Sequence, residues 1–480
     1  MIRWLNPLTS NVKGEKTMKS TQKIFLTIIV FCCLGLMVLP QAMAANAKFD
    51  AENLPDMSDC DPNNPVVPTG DTIKIALVAS FSGPAASAGE AYFSAVNWAV
   101  HDINKRGGIM VDGKKKKIEV IKANHESKPD IAKKVCERMV LQEKVKILMG
   151  TNGSNIMQII NQVADQYKVI AMNFIALSDE LMDAKNFSRY AFMTCYSTSQ
   201  IGRTAAYYYG QIRKKEKKFY VLCQDYLFGH SLAEGFLKGM KEYYPDGQIV
   251  GEDYHKLFLT DFAPFLTKIK ASGADAIYTG DWNPDAMNLL RQARQMGITL
   301  PIIHLFIEDP VALSQVGVEG SKGLVQVDQL NQEGPAFAKE GFWKYCKAWN
   351  DQWKTWKAPY NTLTYKWPIG ANVGMTAQLT YWLLSVIERA GSTDAEKIIK
   401  VWEGDSYEMV NGKVISMRAC DHKAVQDLFL VHYVPPEEQK QSFNKSPYYW
   451  FQEVSYAGPV GKVPAAKILP EIDPKLERCK

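Results

Sequence analysis

From Thr72 to Gly323 short apolar runs alternate with longer amphipathic ones. IKIALVA, which follows Thr72, is apolar almost throughout, as expected of a strand covered on both faces. AGEAYFSAVNWAVHDINKRGG comes next with helical spacing and closes on Gly107 and Gly108. KKIEVIKAN, VKILMG and VIAMNFIA read as further strands. The helices KPDIAKKVCERMVLQE and SNIMQIINQVADQY separate them, the first with a proline near its start. Near Ser197 the pattern restarts. KFYVLCQD, QIVGEDYHKL, DAIYTG and PIIHLF read as strands, and SLAEGFLKGMKEYY, FAPFLTKIKASG and PDAMNLLRQARQMG as helices. This order predicts an α/β fold of two serial units, about Thr72–Thr194 and Ser197–Gly323, each a mostly parallel sheet with helices on both faces. Beyond them, two aromatic-rich helices are expected in GFWKYCKAWNDQWKTW and GMTAQLTYWLLSVIERAGS. Trp343, Trp349, Trp353 and Trp356 read as packing into a lobe. A late strand, DLFLVHYV, precedes a tail.

The N-terminal pattern is of another kind. Lys19 and Lys23 precede the apolar run Ile24–Leu39, and Ala42-Met43-Ala44 forms a small-x-small site. That is the layout of a secretory signal peptide cut after Ala44, with Met18 a plausible start. Residues 1–44 hold most of the chain's formal +5, so the exported protein is left with about +1. Nothing in that balance points to nucleic acid. Residues 45–71, rich in Asp, Asn and Pro, read as an extended lead-in. Seven cysteines follow Ala44: Cys60, Cys136, Cys195, Cys223, Cys346, Cys420 and Cys479. No two have C-x-x-C spacing, the count is odd, and the sequence leaves their pairing open.

Several chemistries find no support. FSGPAASAG lacks the glycine spacing of a dinucleotide fold and the G-K-[ST] of a P-loop. The seven histidines nowhere fall at i, i+3 or i+4 on a helix, so neither metal nor cofactor is expected. G-H-S-L-A around Ser231 resembles a hydrolase nucleophile run. However, Tyr226 to Gly229 intervene after the strand, so Ser231 does not sit at the turn itself, and Ala233 stands where glycine is usual. Ser231 therefore reads as a helix cap. His255, His304 and His422 lie downstream as conceivable bases.

IKIALVASFSGPAASAGEAYFSAVNWAVHDINKRGGI, KILMGTNGSNIMQ, CQDYLFGHSLAEGF, DAIYTGDWNPDAMNLLRQARQMG and MRACDHKAVQ, in that order, resemble the periplasmic solute-binding proteins of ABC transporters, of the branched-chain amino acid (Leu/Ile/Val) type. The likeness spans about Thr72 to Pro435. It implies a type I periplasmic binding fold with three hinge crossovers, near Cys195-Tyr196, near Leu324 and after His422. The lobes would then be 72–195 plus 325–423 and 196–324 plus 424–457, with a tail at 458–480. It also implies that Ser154, with Asn152, Asn155 and the nearby backbone N–H groups, meets a ligand carboxylate at a helix start. Ala176 and Ser178 lie beside it, with Leu177 where a hydroxyl is often found. Tyr226 and Trp282 would cover the ligand from the second lobe, and Asp281 or Glu308 would meet an amine. Ala85, Ala86 and Ala88 leave room in the first loop. The implied role is a monomeric, non-enzymatic periplasmic protein that delivers a small carboxylate, an amino acid or an aromatic or aliphatic acid, to inner-membrane permease subunits. The alternatives are a ligand-sensing subunit for a membrane receptor and a secreted serine hydrolase using Ser231.

Overall fold

The computed structural model describes residues 46–304, 306, 310–329, 340–362, 365, 366, 368, 374–432 and 459–480. Residues 1–45, which hold the stretch read as a signal peptide, and Glu308 lie outside the described residues. A short strand, β1 (Ala47–Lys48), precedes the first lobe. That lobe runs β2 (Ile73–Ala79), α1 (Ala86–Lys105), a hairpin of β3 (Ile109–Val111) and β4 (Lys114–Lys116), β5 (Ile118–Asn124), α2 (Pro129–Leu141), β6 (Ile147–Gly150), α3 (Ser154–Tyr167), β7 (Ile170–Asn173) and β8 (Ala191–Met193). Its sheet has the order β5-β2-β6-β7-β8, parallel throughout. The second lobe opens with α4 (Thr198–Tyr207), started by a Ser197–Gln200 capping box. It continues with β9 (Lys218–Gln224), α5 (Leu227–Tyr243), β10 (Gln248–His255), α6 (Ala263–Ser272), β11 (Ala276–Tyr278), α7 (Asp285–Gln295), β12 (Ile302–Ile303), α8 (Pro310–Ser321) and β13 (Leu324–Asp328).

The second sheet repeats the first lobe's winding, β10-β9-β11-β12-β13, and adds two antiparallel strands, β17 (Leu428–His432) and β18 (Pro459–Val463). In both lobes the chain goes from an inner strand to the edge and then crosses to the inner strand's other side. That reversal opens a crevice at the carboxyl ends of the two inner strands, β2/β6 in one lobe and β9/β11 in the other. Close helix approach holds the crevices narrow. A Cβ on Gly89 would lie 1.9 Å from the Ser80 carbonyl oxygen, and one on Gly229 1.9 Å from that of Gln224. Only glycine fits at either helix start.

Between β13 and β17 come α9 (Glu340–Trp353), α10 (Gly374–Ala390), α11 (Ala395–Trp402), β14 (Ser406–Glu408), β15 (Val414–Met417) and β16 (Ala424–Gln426). They pack on the first lobe. Tyr381 Oη donates to Asp102 of α1, and Trp98 of α1 lies 4.7 Å from the Trp349 ring. The tryptophans of this region are structural. Trp349 and Trp356 are buried, and the indole N–H groups of Trp349, Trp353 and Trp356 donate to backbone carbonyls of Tyr365, Thr362 and Cys60.

Four boundaries differ from the sequence reading. The lead-in is part of the first lobe: β1 pairs with β14, and Phe49 packs edge-on against Tyr345 and Tyr381. The second crossover falls after Asp328 rather than near Leu324, because β13 completes its pairing with β12 and β17. The third falls at Asp427, because β16 still pairs with β15. The stretch read as a tail supplies β18, then crosses α4 and α5 and returns to the first lobe. Leu469 accepts from Arg203, Asp473 accepts from the Ala184 amide, and Cys479 is bonded to Cys420. The other five cysteines after Ala44 are unpaired and buried. Among the described residues no helix is long and apolar enough to cross a membrane.

Candidate functional site

The first lobe offers small polar groups at its crevice. Gly153, with φ 89°, caps α3, and Ser154 is the helix's first residue, 1% exposed. Ser154 Oγ accepts from the Ser178 amide at 3.4 Å, while Ser178 Oγ is buried with no partner. Asn152 Oδ1 is likewise buried and unpaired, and Asn155 stands half-buried in the first turn. Ala176 is buried, its carbonyl accepting from Asn173 Nδ2 at 2.6 Å. Ser154, Ala176 and Ser178 are thus brought together where β6 and β7 end. The first loop contributes Ala85, buried, and Ala86 and Ala88, half-buried. Leu177 is buried.

The second lobe offers aromatic surface. The Trp282 indole N–H donates to Tyr226 Oη at 3.0 Å. From Tyr226 the rings run on through Phe228 (5.9 Å), Phe306 (6.1 Å) and His304 (4.4 Å) to Tyr196 (6.4 Å), which lies on the first crossover. Burial pushes the Tyr226 phenol well above the usual range, and among the charges that add to the rise is Tyr92 of the first lobe. Tyr92 itself packs edge-on against Phe174 at the end of β7, 5.1 Å between centroids.

Asp281 does not offer the free carboxylate expected of it. Both of its oxygens lie 3.0 Å from His255 Nε2, and neither side chain has any exposed surface. His255 Nδ1 donates to the Lys256 carbonyl, so Nε2 faces Asp281. Burial alone would lower the imidazole; the Asp281 bond and charge outweigh it and raise His255. Beside this pair, Asp285 Oδ2 accepts from Gln224 Nε2 at 2.6 Å and from the Phe258 amide, while Oδ1 has no partner. Burial, with help from the Asp281 charge, pushes the Asp285 carboxyl up to about 6. His255 and Asp281 reach each other across the end of β9, the strand between theirs, a meeting that chain spacing does not announce.

Ser231 is not a cap, since α5 begins at Leu227 and places it in the second turn. Its Oγ lies 2.6 Å from Thr198 Oγ1, and the three candidate histidines are engaged elsewhere. His255 meets Asp281, His304 Nδ1 accepts from the Val327 amide, and His422 meets Glu403 and the Ala191 carbonyl.

A family model described as periplasmic binding protein matches residues 72–440. The chain belongs to the periplasmic binding protein family. The Leu/Ile/Val-binding protein of Escherichia coli (strain K12) is 26% identical over 268 residues, 55% of this chain and 69% of the relative. A periplasmic binding protein of Burkholderia mallei superposes with a TM-score of 0.69 at 22% identity, covering 85% of this chain and 98% of that one. A solute-binding protein of an ABC transporter from Rhodopseudomonas palustris, solved in complex with 4-hydroxybenzoate, has a TM-score of 0.65 at 19% identity and covers 82% and 97%. The fold of the family is the two-lobed one described above.

Proposed function

We propose that this periplasmic binding protein captures a small aromatic carboxylate between its lobes in the periplasm, closes on it, and hands it to an ABC-type permease without making or breaking a bond. The observation that carries the reading is the commitment of Asp281 to His255, which removes the carboxylate expected to meet an amine beside Trp282. An ammonium group would need a carboxylate within the site. A flat ring needs only stacking and edge contacts, which Trp282, Tyr226 and Phe306 offer. Ser154 and Ser178, with the free N–H groups at the start of α3, hold the carboxylate. The fold accommodates such a ligand in the Rhodopseudomonas palustris protein.

A branched-chain amino acid is the second reading, favoured by the Escherichia coli relative. Glu308 would then have to receive the amine. A thermal-shift screen of protein stripped by unfolding and refolding separates the two. A ligand at a hundred times its Kd adds about 2.7 kcal/mol. Stabilisation by benzoates and none by leucine or valine supports the aromatic reading; the reverse pattern supports the amino acid.

A further inference from the structure

His304 leaves β12 at its carboxyl end, between Phe306 and the crossover residue Tyr196, and none of its surface is exposed. Its backbone has φ 68°, left-handed for a residue that carries a Cβ. Val327 N–H donates to Nδ1 at 3.1 Å, which fixes the neutral ring's proton on Nε2. Burial depresses the imidazole to about 3, so the ring is neutral across the physiological range. Nε2 has no hydrogen-bond partner. A buried donor left unmade is costly, and in a binding cleft the natural remedy is an acceptor on the ligand.

We infer that His304 Nε2–H is a specificity-determining donor for an acceptor oxygen on the ligand's ring, at the end away from the carboxylate. The inference rests on the aromatic-carboxylate reading above and deepens it. The carboxylate is received on the first lobe by Ser154 and Ser178. The ring lies along Trp282, Tyr226 and Phe306, and its far end reaches the hinge side of the cleft, where His304 stands. The ligand class is therefore a ring acid with a hydroxyl or carbonyl oxygen opposite its carboxylate. A ring bearing a methyl group there would leave Nε2–H unpaired and be disfavoured.

Titration calorimetry with 4-hydroxybenzoate and 4-methylbenzoate tests this on the refolded full-length mature protein. The wild type should prefer 4-hydroxybenzoate by about tenfold or more, the worth of one neutral buried hydrogen bond. His304→Asn keeps an acceptor for the Val327 amide and suits a positive φ, but falls short of the Nε2 position; the preference should vanish while 4-methylbenzoate affinity holds. His304→Gln, which carries a donor at that reach, should restore it. Should neither variant fold, the imidazole Nε2–H resonance of the wild type should shift with 4-hydroxybenzoate and not with 4-methylbenzoate. Equal affinity for the two acids, or a preference that survives in His304→Asn, overturns the inference and leaves the aromatic reading intact. No binding of either acid removes the aromatic reading, and the inference with it.

Discussion

Asp285→Asn should make the protein more stable, and more so at alkaline pH. The carboxyl of Asp285 is fully buried and titrates near 6, against 3.8 for the free side chain. A carboxyl raised in the fold binds its proton more tightly folded than unfolded, so it lowers stability at high pH and is relieved as pH falls. Fully ionised, at pH 8, it costs about 3 kcal/mol. At pH 5 the folded carboxyl is mostly protonated and the cost is about 1.6 kcal/mol. An asparagine can still accept from Gln224 Nε2 and the Phe258 amide, and its amide can turn N–H groups towards the unpaired Gln224 Oε1. The assay is urea unfolding of both proteins at pH 5 and pH 8, read as the variant's gain over the wild type. Taking the difference largely cancels the His255 contribution, which is present below the free histidine pKa and lost as pH rises through its raised folded value. A gain larger by about 1.4 kcal/mol at pH 8 than at pH 5 is expected. A loss of equal size at both pH values would refute the reasoning and make Asp285 an ordinary anchor for the Phe258 loop.

Asp281→Asn, in the same network, should act oppositely and cost about 3–5 kcal/mol, since it strips a buried imidazole of its partner; chemical denaturation at pH 6 measures it. Breaking the Cys420–Cys479 bridge by Cys420→Ser opens a loop of 59 residues and should cost about 4 kcal/mol of loop entropy, seen as a lower Tm that reducing agent no longer changes. Ser231→Ala should lower stability by about 1 kcal/mol through the lost Thr198 contact and leave ligand affinity unaltered, and a fluorophosphonate should label neither form. Lys413, whose Nζ joins the Gln329 carbonyl to Gln426 Oε1 between the crossovers, is lowered by burial to about 7. A depressed lysine loses its burial cost as pH rises, so wild-type stability should climb by about 2 kcal/mol from pH 7 to pH 9, and Lys413→Met should flatten that slope.

How much of this could be read from the chain depended on whether neighbours in space were neighbours in sequence. The strands, their order within each unit and the helix start after Asn152 follow from local spacing, whereas α5 begins at Leu227, ahead of the Ser231 start that spacing suggested, and Ser154, Tyr226 and Trp282 were named through the family resemblance. What escaped were pairings between elements. His255 ends β10 and Asp281 lies just past β11, strands separated in the sheet by β9, and only the fold brings an imidazole to the carboxylate that the family resemblance had marked for an amine. The strand at Pro459–Val463 carries no helix or turn signal of its own and exists because β17 leaves an edge to cover. In the sequence His304 stands only as a histidine without metal spacing and as a conceivable base for Ser231, two tests blind to a lone donor.

The two crevices are alike in winding and unlike in chemistry, and that difference bears on how the site would select. At the first, the buried Ser178 hydroxyl stands with unused bonding capacity beside the backbone N–H groups that open α3, a neutral surface that favours an anion without a cation to hold it. At the second, the buried His255–Asp281 pair is closed on itself beside Trp282, so its charge is spent inside the lobe, while the Asp225–His230 pair at the end of β9 is exposed to solvent. Lobe closure would then bring a neutral anion receptor against rings rather than against an opposite charge. Binding would gain little from long-range attraction and much from shape and from the few neutral donors left unpaired. A site built so should bind with weak dependence on salt, because the groups proposed to touch the ligand are neutral. A steep fall in ligand affinity between 50 mM and 500 mM salt would point to a charged group at the ligand and contradict the neutral arrangement.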